Sequence, residues 1–183
     1  MTLLLECLAV LATARLIELA VSVRNWRHHR QTATMPGEAL FPWMVALHSS
    51  VFFLLPLEYS LFGGAFASPV SLVATGLVGF TLLLRVWTLK TIGRSWNVRV
   101  VGGPNYPIVA TGPYRYIRHP NYLVVILELC LIPLMWELWR SAVILSLLNG
   151  LILRRRIANE EALLAQNSSW VESMAHKPRF FPF

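Results

Sequence analysis

An all-α integral membrane bundle of about five transmembrane helices, with a C-terminal helical hairpin beside a cytoplasmic pocket, is the fold this sequence predicts. Three observations predict it. The 183 residues are 56% hydrophobic with a mean hydropathy of +0.56, too apolar for an ordinary soluble domain of this size. The apolar residues gather into five runs, about Leu3 to Val23, Phe41 to Phe62, Pro69 to Trp87, Tyr122 to Trp139 and Ser141 to Leu153, and a helix crosses hydrocarbon with about 20 such residues. Finally, the cations alternate with the runs. If the N-terminus starts outside, thirteen of the sixteen lysines and arginines fall on one side, Arg140 alone falls opposite, and Arg15 and Arg85 lie within runs. That bias places the basic loops in the cytoplasm. The formal charge of +7 is thus spread over helix ends rather than over one soluble face, which argues against a nucleic-acid partner.

The first run carries Glu6, Arg15 and Glu18 and lacks a basic head or a small-residue cleavage site, so it reads as a retained span rather than a signal peptide. It stops in the basic stretch Ser22 to Arg30. The polar connection that follows, with Thr34, Pro36 and Gly37, reads either as a lid over a substrate or as a loop that sets topology and touches headgroups. After the second run, Gly63 to Pro69 is uncharged and predicts a short external turn. From Lys90 to Thr111 hydrophobicity falls and Gly93, Gly102, Gly103, Pro104, Asn105 and Pro107 predict a folded loop, with Val98 to Val101 alternating like a short extended piece. The last two runs are short for independent spans. Pro133 and the polar Glu137 to Arg140 stretch predict a tightly turned hairpin with uneven or tilted legs, its second helix continuing through Leu164. The tail from Lys177 to Phe183 suits the membrane interface. Cys7 and Cys130 sit in separate runs at no metal-ligand spacing and read as packing residues, with no metal site expected. With no internal repeat, residues 1–183 read as one domain, helices 1–3 occupying residues 1–89 and the polar motifs residues 90–183.

Glu18, Glu58, Arg85, Glu128 and Asn149 fall inside apolar runs, where an unpaired charge is expensive. Structural pairing, of Glu58 with Arg85 for instance, is the expected role for most of them, and His48 is placed to line a cavity. Two clusters carry more. Gly112-Pro113-Tyr114-Arg115-Tyr116-Ile117-Arg118-His119-Pro120-Asn121-Tyr122 sets guanidinium, imidazole and phenol groups between prolines just before a helix start, a position that suits an anionic ligand group. Beyond the hairpin, Arg154-Arg155-Arg156-Ile157-Ala158-Asn159-Glu160-Glu161 puts Arg156 and Glu160 on one helix face, one turn apart. Two adjacent carboxylates beside lipid point to a ligand.

Together these clusters resemble the isoprenylcysteine carboxyl methyltransferase superfamily, from about Thr91 to Leu164. The N-terminal half, through Arg15-Leu16-Ile17-Glu18, Ser22-x-Arg24-Asn25, Pro42 to His48 and Glu58, with Gly93 to Val100 behind it, is most similar to the bacterial branch that methylates alkylpyrones and alkylresorcinols. After the double glutamate, Ala165 to Trp170 departs from the Phe-Gly and tyrosine-rich stretch of eukaryotic prenylcysteine enzymes, whereas Pro178 to Pro182 resembles the family's usual ending. The resemblance implies a helical bacterial inner-membrane enzyme whose C-terminal half encloses S-adenosylmethionine, with the site facing the cytoplasm. It implies Arg118, His119, Pro120, Tyr122 and Glu160 as cofactor-binding residues. It further implies Arg156 and Glu161 as catalytic residues, and Glu18, Asn25 and His48 as substrate-binding ones.

In-line methyl transfer from a sulfonium needs alignment and desolvation more than catalytic groups. A carboxylate or an acidic hydroxypyrone arrives ionised, whereas a phenol with a pKa near 10 needs a base, for which Glu161, Glu18 and His48 all qualify. The expected acceptor is a hydroxyl of a long-chain phenol or pyrone, followed by a prenylcysteine carboxylate. Phospholipid amine methyltransferases, sterol-type reductases using a nicotinamide cofactor, and non-enzymatic membrane scaffolds or small transporters are the alternative classes. Membrane lipids and a lipophilic substrate are the expected partners.

Overall fold

The computed structural model describes residues 1–36 and 39–181; Gly37 of the first connection and Pro182 and Phe183 of the tail lie outside them. Its elements are α1 (Thr2–His29), α2 (Phe41–Phe62), α3 (Pro69–Ile92), α4 (Pro120–Leu134), α5 (Trp139–Leu164) and the short α6 (Ser168–Met174), with single 3₁₀ turns at Gly93–Ser95 and Gly112–Arg115. No strand occurs among the described residues. The extended piece expected at Val98 to Val101 forms no strand; beside it, Thr34 and Gly102 make one antiparallel bridge, their amides donating to each other's carbonyls at 2.7 and 3.1 Å. That bridge fastens the first connection to the loop between α3 and α4.

The surface is inverted relative to a soluble protein. Leu16, Phe53, Phe80, Leu83 and Leu151 stand exposed, whereas Ser71, Thr81, Thr88 and Asn149 are almost fully buried. In lipid this is the favourable arrangement, because hydrocarbon solvates apolar side chains and polar ones must find partners inside the bundle. Two helical stretches, Phe41–Phe62 and Pro69–Ser95, are long and apolar enough to cross a membrane, while α4 is shorter at 15 residues. At 1.5 Å per residue α4 spans about 22 Å, so it is the short leg of the expected uneven hairpin. It turns into α5 within Met135 to Leu138, where Glu137 adopts φ +56° and bonds the hydroxyl of Ser68, the cap of α3. α4 packs between α3 and α5, and α2 packs on α5. A core of Leu4 and Leu8 from α1, Leu47, Val51 and Leu55 from α2, Leu129 and Ile132 from α4 and Leu145 from α5 fills the end of the bundle away from the basic loops.

The intramembrane charges are paired, though not as expected. Glu58 does not meet Arg85. It accepts hydrogen bonds from the backbone amides of Arg140 and Ser141 at 3.0 and 2.7 Å, and so caps α5. Its position explains this: Glu58 lies in the last turn of α2, whereas Arg85 sits about 24 Å along α3 from the same end of the bundle. Arg85 instead binds Glu18 at 2.5 Å and Glu128 at 2.8 Å, and Arg15 binds Glu18 and Glu128 at 2.7 and 2.9 Å. Two cations and two anions from α1, α3 and α4 close a neutral ring, which removes the main cost of burying any one of them.

Candidate active site

A cavity of about 480 Å³ runs from the loop between α3 and α4 down among α1, α2, α3 and α5, ending at the ring of charges. Its centre is built by α4 and α5. Pro120 fixes the first turn of α4, which brings Tyr122 inward, and the one-turn spacing on α5 aligns Arg156 with Glu160. The phenol of Tyr122 joins them: its hydroxyl donates to Glu160 and accepts from Arg156 Nε at 2.9 Å. Arg156, only 3% exposed, also donates from Nη2 to the Val98 carbonyl at 2.5 Å and sets Nη1 against the Met44 sulfur. One guanidinium therefore ties α2, the α3–α4 loop, α4 and α5 together.

Glu161 faces a different set of partners. His119 Nε2 lies 2.9 Å from its carboxylate, Arg179 reaches it at 2.6 Å and Arg118 at 3.2 Å. Burial pushes this carboxyl upward, but the hydrogen bonds from His119 and Arg179 and the nearby charges outweigh it and bring it down to about 2. The tail completes the clamp. The amides of Arg118 and His119 donate to the carbonyls of Pro178 and Arg179 at 2.9 and 3.1 Å, and Lys177 donates to the Tyr114 carbonyl at 2.8 Å. The two amides just before the start of α4 are thus taken by the chain itself. Phe180 packs against Tyr122, Leu153 and Ile157.

Of the ten residues expected at the site, Glu18, His48, Arg118, His119, Tyr122, Arg156 and Glu160 line this cavity. Three do not. Asn25 is buried behind the wall, where its amide donates to the carbonyls of Gly93 and Trp96 and anchors the loop to α1. Pro120 is buried in the helix start, and Glu161 sits in the cation clamp. Sequence reasoning passed over Met44, Trp96, Tyr106 and Trp170, which also line the cavity. Burial pushes the phenols of Tyr106 and Tyr114 well above their ordinary range, so both stay protonated. No group of three or more histidine, cysteine, aspartate or glutamate side chains able to hold a metal occurs among the described residues.

Residues 74–166 match the isoprenylcysteine carboxyl methyltransferase (ICMT) family. The Bacillus subtilis (strain 168) protein YpbQ is 32% identical over 162 residues, 88% of this chain and 96% of that one. The chain belongs to the ICMT family. Two further relatives are the nickel-cobalt-cadmium resistance protein NccN of Alcaligenes xylosoxydans xylosoxydans, 31% identical over 61% of this chain, and the cobalt-zinc-cadmium resistance protein CzcN of Cupriavidus metallidurans, 29% identical over 68%. The chain spans 50% and 55% of their lengths. Among solved structures, the eukaryotic intramembrane Ras methyltransferase ICMT superposes with a TM-score of 0.60 at 16% identity, covering 90% of this chain and 62% of that one. The ICMT fold is therefore present, and family, fold and lipid-facing helices together make this an integral membrane protein of a methyltransferase family.

Proposed function

We propose that this protein transfers a methyl group from S-adenosylmethionine to an oxygen of a lipophilic acceptor, most favourably the hydroxyl of a long-chain phenol or hydroxypyrone. The observation that carries the reading is the Tyr122–Glu160–Arg156 chain of hydrogen bonds within a cavity that joins the basic loops to the apolar interior. The residues present fit the cofactor. Trp96 Nε1 and Arg118 Nε are buried donors without a hydrogen-bond partner among the described residues, and both side chains line the cavity. Unsatisfied buried donors of this kind signal a missing acceptor.

When bound, S-adenosylmethionine supplies an electrophilic methyl group on a sulfonium. Glu160 would hold ribose hydroxyls or the amino group, Tyr122 and His119 would shape the same wall, and Arg118 would meet the carboxylate. Arg156 then orients the acceptor oxygen, held rigid by Tyr122, Val98 and Met44. An arginine fixed from several elements suits alignment, since near-attack positioning is where such an enzyme gains rate. Helices α1 and α2 supply the apolar walls down which an alkyl chain extends, each buried methylene contributing about 0.8 kcal/mol.

Equilibrium binding of labelled S-adenosylmethionine to detergent-purified variants tests the reading. Tyr122→Ala and Glu160→Ala are expected to weaken binding, whereas Arg156→Ala is expected to reduce turnover far more than affinity. Equal affinity losses in all three would contradict the division of roles. A prenylcysteine carboxylate is the second reading, favoured by the fold shared with a Ras methyltransferase and by a guanidinium suited to an anionic oxygen.

A further inference from the structure

Resting on the oxygen-methylation reading, we infer that His48 is the proton acceptor for a protic acceptor hydroxyl. The structure separates the three candidate bases. Glu161 is engaged by His119, Arg118 and Arg179 and lies outside the cavity lining. Glu18 lines the cavity, but Arg15 and Arg85 hold its two oxygens at 2.7 and 2.5 Å. His48 lines it too and is differently placed. Its Nδ1 lies 2.8 Å from the Met44 carbonyl, which can only accept, so Nδ1 carries the proton and Nε2 presents its lone pair. Nε2 has no hydrogen-bond partner among the described residues. The side chain that carries it lines the cavity.

Depth agrees with this role. His48 lies seven residues into α2 and Arg156 eight residues before the end of α5, about 10 and 12 Å from the basic end of the bundle. Met44 links them, its carbonyl holding His48 and its sulfur touching Arg156. Arg156 and His48 therefore border the same cavity on either side of Met44. The charged groups around His48 are Arg15 and Glu18 of α1, Arg85 of α3, Glu128 of α4 and Arg156 of α5. Four of them neutralise one another in the ring, which leaves His48 as an imidazole without a counter-ion of its own.

The step balances. The acceptor's O–H proton passes to Nε2, giving an imidazolium; the oxygen's electron pair forms the new O–C bond; the C–S bond of the methyl sulfonium breaks, and its pair stays on sulfur as a neutral thioether. A carboxylate acceptor has no such proton to lose and does not need His48.

The test uses the full-length protein in detergent with three probes: a long-chain resorcinol, a farnesylcysteine analogue and a long-chain nitrophenol. Without any methyl donor, the nitrophenolate absorbance reports ionisation of the bound phenol directly. Wild-type protein is expected to raise the phenolate fraction, and His48→Gln to lose that rise while retaining cofactor affinity. With labelled cofactor, His48→Ala is expected to lower kcat/KM on the resorcinol by about 10²- to 10⁴-fold. The loss on the farnesylcysteine carboxylate should be much smaller than on the resorcinol, and added imidazole should restore resorcinol methylation. Unchanged phenolate fraction and unchanged resorcinol turnover in the variants would overturn the assignment, as would equal losses on both acceptors without imidazole rescue. If wild-type protein methylates neither acceptor, the oxygen-methylation reading itself fails, an outcome distinct from failure of His48 alone.

Discussion

At the scale of the residue, two adjacent glutamates take opposite parts. Glu160 turns to Tyr122 in the cavity, while Glu161 is surrounded by His119, Arg118 and Arg179. Successive helix positions point about 100° apart, which turns the two carboxylates to different partners. Glu161 is therefore a positioning residue that fixes His119 and the tail. Its carboxyl, brought down to about 2 from an ordinary 4.5, stabilises the folded state above pH about 4.5, and that contribution fades as the pH falls towards 2. The thermal midpoint of wild-type protein is accordingly expected to exceed that of Glu161→Gln at pH 5, and the two are expected to converge as the pH falls towards 2. A gap that widens as the pH falls would contradict the sign. Tyr122→Phe isolates the hydroxyl: it keeps the ring packed on Leu153 and Ile157 but cuts the link between Arg156 and Glu160. We expect the protein to fold normally and lose turnover together with cofactor affinity.

At the scale of the element, the helices were legible in the sequence because their signals are local. The turn at Pro133 to Arg140 and the run of α5 through Leu164 follow from proline positions and apolar periodicity, whereas α4 starts at Pro120, two residues before the expected Tyr122, because proline is accommodated in a helix's first turn. Partners across helices were not legible. Glu58 was assigned to Arg85 by charge alone, yet their distances from the helix ends place them at opposite ends of the bundle. The structure instead uses Glu58 as the cap of α5 and spends Arg85 on Glu18 and Glu128. Glu58→Gln weakens the cap and should cost about 0.5–2 kcal/mol. Glu128→Gln leaves two arginines facing one carboxylate and should cost about 3–5 kcal/mol. Chemical unfolding in detergent compares the two, and a smaller loss in the Glu128 variant would contradict a closed ring. The tail was read as an interfacial end. Its strap function through the backbone of Arg118 and His119 has no sequence signature, because carbonyl groups are common to every residue.

At the scale of the whole molecule, the cavity joins two environments: basic loops at one end and apolar helix walls at the other. The cation bias predicts that those loops face the cytoplasm. Cysteine labelling in membrane vesicles checks it at Phe66 in the turn between α2 and α3 and at Asn105 in the loop between α3 and α4, both exposed. A probe reaching Phe66→Cys only from the cytoplasm, with Asn105→Cys protected from that side, would invert the topology. The most direct measurement of the central claim is methyl transfer itself. Purified protein receives methyl-labelled S-adenosylmethionine with long-chain resorcinols and pyrones of increasing alkyl length and a farnesylcysteine analogue. The account predicts label in the ether of the hydroxyl acceptors, with KM falling as the chain lengthens. Label confined to the prenylcysteine ester would contradict the acceptor, and no cofactor binding or transfer with any of them would contradict the account as a whole.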